Sequence, residues 1–238
     1  MGAAALLSGC AAASITEALC GTSGHGSADS CPVCGTRLRW WWLPPVLKVL
    51  ASPRCRVCGA RLDTGVPVVE CVTGSLVAAS FMLSAGPAQA VVLSTVCLVA
   101  VTTAAVDMRT YTIPNRLVAG GGAAVAALIA AGLIPPAESL LGAVAGGSLM
   151  WVTAVAGRGA MGGGDVKISF VLGALVRWPG VLVALFASFV AAALTAAVLL
   201  ALRLKKRRDY IPFGPFLAAG ALFAAAWGDA MLRWYWGG

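Results

Sequence analysis

Two aspartates, Asp107 and Asp165, are the first candidates for chemistry because acidic residues are scarce in this chain. Its 238 residues include only nine Asp and Glu. Asp107 directly follows a long hydrophobic segment, and Asp165 follows Gly162, Gly163 and Gly164 at the start of another. A charged Asp at mid-bilayer costs about 2.5 to 3.5 kcal/mol, so such residues usually face an internal cavity and serve a function.

The chemistry open to this pair is general acid-base catalysis. Two carboxyl groups a few ångströms apart cannot both ionise, so they share one proton. The ionised partner can deprotonate a water while the protonated partner hydrogen-bonds a scissile carbonyl, which hydrolyses a peptide without a metal. Bare backbone at Gly162, Gly163 and Gly164 would let a substrate chain approach Asp165 closely. Taken singly, Asp165 could instead be a helix N-cap and Asp107 a boundary charge near Arg109.

Four of the eight cysteines form a second candidate site. They have the spacing C-x2-C-x20-C-x2-C and are Cys31, Cys34, Cys55 and Cys58. Two such knuckles can place four thiolates around a tetrahedral Zn²⁺, and four protein ligands make the metal structural. A disulfide framework is the alternative, and a reducing cytoplasm disfavours it. We expect a small zinc-ribbon-like loop.

The composition defines the environment of both sites. The chain is 60% hydrophobic and only 11% charged, against roughly 25% charged for a soluble domain. This excludes soluble globular, disordered and collagen-like classes and predicts an all-α polytopic membrane protein with about eight transmembrane helices. The lipid bilayer is therefore its main partner.

Uncharged runs locate the expected helices. Gly86-Pro87 divides the first long run, and Arg177 to Gly180 interrupts a later one. The expected segments are 69–85, 88–106, 117–137, 139–157, 168–176, 181–202 and 210–228. We divide the chain into a weakly hydrophobic segment 1–24, which is a candidate first transmembrane helix, a four-Cys module 25–66 and a transmembrane core 67–238.

The distribution of positive charge predicts the topology. If the segments alternate sides, fifteen of the 17 Lys and Arg fall on one side, and only Arg177 and Arg233 on the other. By the positive-inside rule, the cysteine loop and both aspartates face the cytoplasm. The net charge of +8 then reflects topology, and we expect no nucleic-acid partner.

These blocks, in this order, resemble the type IV prepilin peptidases, membrane aspartic proteases with a G-x-G-D motif. The resemblance covers about residues 30 to 220. It rests on the two-knuckle loop, Pro67 to Gly74, Asp107 with Ile113-Pro114, Gly162 to Lys167, and Ile211 to Leu217.

The resemblance implies an aspartic endopeptidase of the cytoplasmic (inner) membrane. It would cleave a basic leader from prepilins or pseudopilins after a Gly, with Asp107 and Asp165 as the catalytic pair. Members with the N-terminal module also methylate the new N-terminus with S-adenosylmethionine. Glu70 matches an acidic position that could bind the substrate amine or the cofactor, or it could simply favour a helix N-terminus.

Two other classes of function remain open at this point. A small transporter would use the aspartates as proton or cation sites, and a non-catalytic pilus-assembly subunit would use the zinc-stabilised loop to recruit a partner.

Overall fold

A computed structural model describes residues 33–36, 54–55, 57–60, 65–157, 161–206 and 209–237. The segment 1–24, Cys31 and most of the four-Cys module lie outside the described residues. Seven helices make up the core of the described part. They are α1 (Gly65–Leu83), α2 (Pro87–Thr110), α3 (Asn115–Ala130), α4 (Pro136–Ala156), α5 (Gly163–Val176), α6 (Gly180–Ala201) and α7 (Gly214–Trp236).

Proline and glycine set the ends of these helices. Pro87, Pro136 and Pro215 occupy the first turns of α2, α4 and α7, where a missing N–H costs no hydrogen bond. α5 ends at Arg177, whose φ of 67° is left-handed and cannot continue a right-handed helix.

The structure corrects two sequence expectations about helix ends. Asp107 does not follow its helix but lies in the last turn, because α2 continues to Thr110 and closes on left-handed Tyr111, whose N–H bonds the carbonyl of Asp107 at 2.9 Å. Asp229 lies inside α7 and not beside a loop, since one charge in the exposed final turns of a 23-residue helix does not end it.

Four helices are long and apolar enough to cross a bilayer, namely α2, α4, α6 and α7. The apolar helices α3 and Cys71–Leu83 of α1 are shorter, and α5 has only 14 residues. Because about 20 residues span the hydrocarbon, α5 has to be shielded by neighbours. It packs against α2, α3, α4, α6 and α7, which surround this short helix carrying Asp165.

Small residues allow α4 and α5 to approach closely. A Cβ atom on Gly142 would collide with the carbonyl oxygen of Gly173, and one on Gly146 would lie 2.8 Å from the carbonyl oxygen of Ser169. The same two helices are tied by Ser139, whose Oγ donates to the carbonyl of Ala174 at 3.0 Å. In lipid, helices associate by such packing and hydrogen bonding and not by a hydrophobic driving force.

At one end of this pair, Glu138 and Arg177 form an ion pair with atoms 3.6 Å apart. The backbone N–H of Trp178 donates to the carbonyl of Glu138 at 3.0 Å. These contacts fix the α5–α6 turn against the start of α4, at the end of α5 opposite Asp165.

Replacing Gly142 with Ala should destabilise the bundle, because the new methyl group meets backbone that cannot rotate away. We expect a loss of about 1 to 3 kcal/mol, measured as a lower thermal unfolding midpoint in detergent. Gly120→Ala on α3 is the matched control, since nothing lies within 4 Å of its Cβ position. An unfolding midpoint for Gly142→Ala equal to that of Gly120→Ala would show that α4 and α5 are not packed this closely.

Candidate active site

Asp107 is held in the interior by backbone from the far end of the chain. Its side chain is buried, with 2% of the residue's surface exposed. Its Oδ2 accepts a hydrogen bond of 2.7 Å from the N–H of Gly214, the first residue of α7. This joins the last turn of α2 to the first turn of α7.

Asp165 is buried to a similar degree, with 4% exposed. It is the third residue of α5, whose N-cap is Gly162, so Asp165 is not itself the N-cap. Its N–H bonds the carbonyl of Gly162 at 3.1 Å, and its own carbonyl accepts the Ser169 hydroxyl at 2.6 Å. The first turn of α5 thus holds the carboxyl group at the helix N-terminus, where the dipole favours negative charge.

The two predicted aspartates lie on helices that pack against each other. Asp107 and Asp165 are close enough for their charges to repel one another, and α2, α5 and α7 pack against each other in pairs. This repulsion disfavours the state in which both groups are ionised. Both aspartates predicted from the sequence are therefore buried on helices that pack against each other.

Tyr210, in the connection between α6 and α7, is a third polar group beside the pair. Partial burial raises the pKa of its phenol, and the neighbouring carboxylates of Asp165 and Asp107 raise it further. The hydroxyl therefore remains a hydrogen-bond donor at neutral pH. The Tyr210 ring packs edge-on against Tyr111, with ring centroids 5.7 Å apart.

An open cavity of about 680 Å³ lies at this edge of the bundle, lined by Tyr111, Lys205, Asp209 and Tyr210. It connects the α2–α3 turn with the α6–α7 connection. Neither aspartate lines the cavity, and Tyr210 is the lining residue that interacts electrostatically with both carboxylates.

The three glycines at the start of α5, Gly162, Gly163 and Gly164, have different neighbours. Nothing lies within 4 Å of a Cβ position on Gly163, whereas a Cβ on Gly164 would stand 3.0 Å from Cβ of Ile113. A Cβ on Gly162 would lie 3.4 Å from Oδ2 of Asp165 and 3.8 Å from the Tyr210 hydroxyl. Bare backbone at Gly164 admits the chain's own α2–α3 turn, and Gly162 leaves space between Asp165 and Tyr210.

Three of the four predicted metal ligands lie together. The sulfur atoms of Cys34, Cys55 and Cys58 are all within 4.8 Å of one another, and those of Cys34 and Cys55 are 3.7 Å apart. A disulfide needs about 2.05 Å, whereas two corners of a tetrahedron with metal–sulfur bonds of about 2.3 Å are about 3.8 Å apart. The described cysteines fit a metal better than a disulfide.

The backbone of the second knuckle supports the same arrangement. The N–H of Cys55 bonds the carbonyl of Ala60, and the N–H of Gly59 bonds the carbonyl of Cys55, each at 2.8 Å. Gly35 and Gly59 follow their knuckles with φ of 67° and 72°, which glycine adopts without strain. Backbone hydrogen bonds from Cys58 and Val57 lower the pKa of the Cys55 thiol, and the thiolate is the form that binds metal.

Glu70 lies on α1, and its side chain is outside the described part of the chain, as is Cys31. Lys167 donates from Nζ to Oδ1 of Asn115 at 2.9 Å, which ties the start of α5 to the start of α3.

Sequence reasoning missed the roles of Tyr210 and Gly214. Gly214 lies inside the block Ile211 to Leu217, and Tyr210 lies directly before it. The sequence therefore pointed to this segment but not to these two residues. A contact spanning 107 residues has no local signature that would have pointed to Asp107.

A helical bundle with two buried carboxyl groups that repel one another, on helices packed together, is the arrangement expected of a membrane aspartic peptidase. Comparison with protein families agrees. The model described as the Type IV leader peptidase family matches residues 91–197, and the model described as the Bacterial Peptidase A24 N-terminal domain matches residues 20–84.

Several relatives carry the name prepilin leader peptidase/N-methyltransferase. The protein from Bacillus subtilis is 37% identical over 217 residues, which cover 87% of this chain and 84% of the relative. Those from Aeromonas salmonicida and Pseudomonas aeruginosa are 32% and 31% identical, covering 83% and 87% of this chain and 67% and 74% of the relatives. No solved structure matches significantly.

The chain therefore belongs to the type IV leader peptidase family. This confirms the resemblance and favours a hydrolase over the transporter and the non-catalytic assembly subunit. The apolar helices and the family together make it a multi-pass protein of the inner membrane.

Replacing Tyr210 with Phe should slow peptide cleavage about two- to tenfold, since it removes one hydrogen-bonding group beside the carboxylates while keeping the ring. The measurement is the cleavage rate of a prepilin by purified enzyme in detergent. Tyr235→Phe, which changes an exposed tyrosine near the end of α7, is the control and should cleave at close to the wild-type rate. Equal rates for Tyr210→Phe and the wild type would remove the hydroxyl from the site.

Proposed function

We propose that Asp107 and Asp165 are the catalytic pair of a prepilin leader peptidase. The observation that carries this proposal is the pairing of two buried carboxyl groups on different helices of a bundle that belongs to a leader peptidase family. Burial is costly for each group, and an arrangement that buries both together is most simply explained by the chemistry of a shared proton.

The reaction uses this proton in two steps. The ionised carboxylate takes a proton from a water, and the oxygen of that water forms a bond to the scissile carbonyl carbon. The protonated partner donates to the carbonyl oxygen, which becomes a hydroxyl in the tetrahedral intermediate. Collapse of the intermediate re-forms the C=O bond and breaks the C–N bond: one hydroxyl returns a proton to the second carboxylate, and the first carboxyl group gives its proton to the leaving amine.

The substrate is a prepilin or pseudopilin, cleaved after a Gly between a short basic leader and a hydrophobic helix. Such a substrate reaches the site from the bilayer, because the helix that follows the cleaved bond is itself membrane-embedded. The aspartates and the cavity at Tyr111 and Tyr210 face the cytoplasm in this proposal, in keeping with the positive-inside distribution of Lys and Arg.

The cysteine module binds a structural zinc ion through Cys31, Cys34, Cys55 and Cys58. The 3.7 Å separation of the Cys34 and Cys55 sulfur atoms supports this ligand set. Bound zinc would supply folding free energy to a segment with little apolar surface and would take no part in peptide hydrolysis.

A second activity, methylation of the newly exposed N-terminal amine with S-adenosylmethionine, is favoured by the names of the relatives. The match of residues 20–84 to the bacterial N-terminal domain supports the presence of the module that accompanies this activity in the family. Glu70 is the residue we assign to the amine or the cofactor.

The proposed organisation keeps three parts: a first transmembrane segment within 1–24, the zinc module 25–66 and the peptidase core 67–238. With the segment 1–24 and the seven helices of the core, the chain would cross or enter the membrane about eight times. The four long apolar helices support this count in part.

Coexpression of a prepilin with Asp107→Asn or Asp165→Asn enzyme should leave the leader attached, since neither variant can share a proton between two carboxyl groups. We expect cleavage to fall by at least about a thousandfold, read by mass spectrometry of the pilin N-terminus. Asp229→Asn, which changes an exposed carboxylate on α7, should process normally. Stably inserted Asp107→Asn or Asp165→Asn enzyme that still removes the leader would disprove the catalytic pair.

Zinc analysis of purified protein tests the module separately. The wild type should contain zinc, and Cys55→Ser should lose most of it because a hydroxyl is a poor replacement for a thiolate ligand. Cys97→Ser is the control, since Cys97 is buried in α2 next to Ser80, with their side-chain atoms 3.6 Å apart. The assignment fails if Cys55→Ser and the wild type contain equal amounts.

A further inference from the structure

The connection between α6 and α7 reaches the catalytic pair through backbone. The N–H of Gly214 and Oδ2 of Asp107 are 2.7 Å apart, at the short end of the range for an N–H to oxygen hydrogen bond. The first N–H groups of a helix have no partner within the helix. Asp107 thus satisfies a donor of α7, and α7 satisfies an acceptor on Asp107.

Helix dipoles make this contact matter for Asp107 in particular. Asp107 lies in the last turn of α2, where the partial negative charge of the helix end disfavours a carboxylate. Gly214 begins α7, and the N-terminus of a helix carries partial positive charge directed at an anion. The start of α7 therefore offsets the unfavourable end of α2 at the same carboxyl group.

The contact requires glycine for steric reasons. A Cβ on residue 214 would stand 2.7 Å from both Cβ and Oδ2 of Asp107, and 3.0 Å from its Cγ. These distances are too short for any side chain, so an alanine would push either α7 or the carboxyl group away. Neighbouring contacts leave α7 little freedom to move, since Phe213 packs on Phe189 of α6 with ring centroids 5.5 Å apart.

We infer that Gly214 is a positioning residue for the reaction: its N–H fixes the orientation of the Asp107 carboxyl group, and its lack of a side chain lets α7 come close enough to do so. The inference rests on the proposed role of Asp107. It assigns to the block Ile211 to Leu217 the function of aligning one half of the catalytic pair.

Steady-state kinetics of Gly214→Ala test this role. A carboxyl group displaced by about 1 Å should lower kcat about 10- to 100-fold, whereas KM for the prepilin should stay within about twofold of the wild type because the substrate cavity is untouched. Rates are normalised to folded enzyme, measured as the monodisperse fraction in detergent.

Gly220→Ala is the matched control on the same helix. A Cβ there would collide with Ser188 and Ala184 of α6, so it also crowds an α7 interface, but at one without a carboxyl group. We expect Gly220→Ala to lower the thermal midpoint and leave kcat per folded molecule within about twofold of the wild type. An equal loss of kcat in both variants would make Gly214 a packing residue only and overturn the inference.

If Gly214→Ala folds poorly, a double-mutant cycle of unfolding free energies tests the inference instead. Asp107→Gly removes every Asp107 side-chain atom that the new Cβ would meet, so Gly214→Ala should cost less stability in that background than in the wild type. The cost of Gly220→Ala should be the same in both. A Gly214→Ala cost that does not change with residue 107 would rule out the contact.

The outcomes separate this inference from the proposed function. Wild-type kcat in Gly214→Ala, together with inactive Asp107→Asn, would reject the positioning role and leave the catalytic pair in place. Cleavage by Asp107→Asn would reject the pair itself.

Discussion

The burial of two mutually repelling carboxyl groups on neighbouring helices is the constraint on which the rest of this bundle depends. Asp107 and Asp165 are 2% and 4% exposed, and each unpaired charge at such depth costs several kcal/mol. Backbone groups offset part of this cost. Gly214 donates to one carboxyl group, and the backbone of Gly162 hydrogen-bonds the other. Asp165 lies at the N-terminus of α5, and the Asp107 carboxyl group faces the N-terminus of α7. Compensation by fixed dipoles leaves the carboxyl groups free to exchange a proton, which a tight ion pair with Lys or Arg would prevent.

A backbone N–H can reach a buried carboxyl group only where two segments approach closely. This explains why glycine lies at these contacts. The α7 start reaches Asp107 because residue 214 has no side chain, and α5 reaches the α2–α3 turn because Gly164 packs on Ile113. Farther along the same helices, Gly142 and Gly173 bring α4 against α5, and Gly220 brings α7 against α6. These contacts hold α5, which at 14 residues is too short to be stabilised by the bilayer alone. The rigidity of the site is thus a property of the small-residue interfaces around it.

The sequence predicted the features of this structure that depend on neighbouring residues in the chain. Uncharged runs and prolines located the seven helices, although α3 ends at Ala130 and not at 137, and α7 runs to Trp236 and not to 228. The isolation of Asp107 and Asp165 in an apolar chain singled out two residues that the structure buries. The spacing of Cys34, Cys55 and Cys58 identified a cluster that the structure brings together. What it could not predict is held by long-range contacts. The end of α2 was placed one turn too early because Asp107 was treated as a boundary charge, whereas α7 provides a buried partner for it. Tyr210 interacts with both carboxylates only because the α6–α7 connection folds back over them.

The aspartates of the bundle and the cysteines of the loop are held in position by different means. In the bundle, many weak contacts between long helices fix the aspartates, so no single bond has to be strong. The described residues of the cysteine loop make few apolar contacts, with Val33 and Val57 exposed, and the packing that orders the bundle is not available to them. Sulfur atoms 3.7 Å apart repel one another as thiolates unless a cation lies between them. A metal ion would supply positive charge to the cysteine thiolates. The N-termini of α5 and α7 supply partial positive charge to Asp165 and Asp107 in the same way.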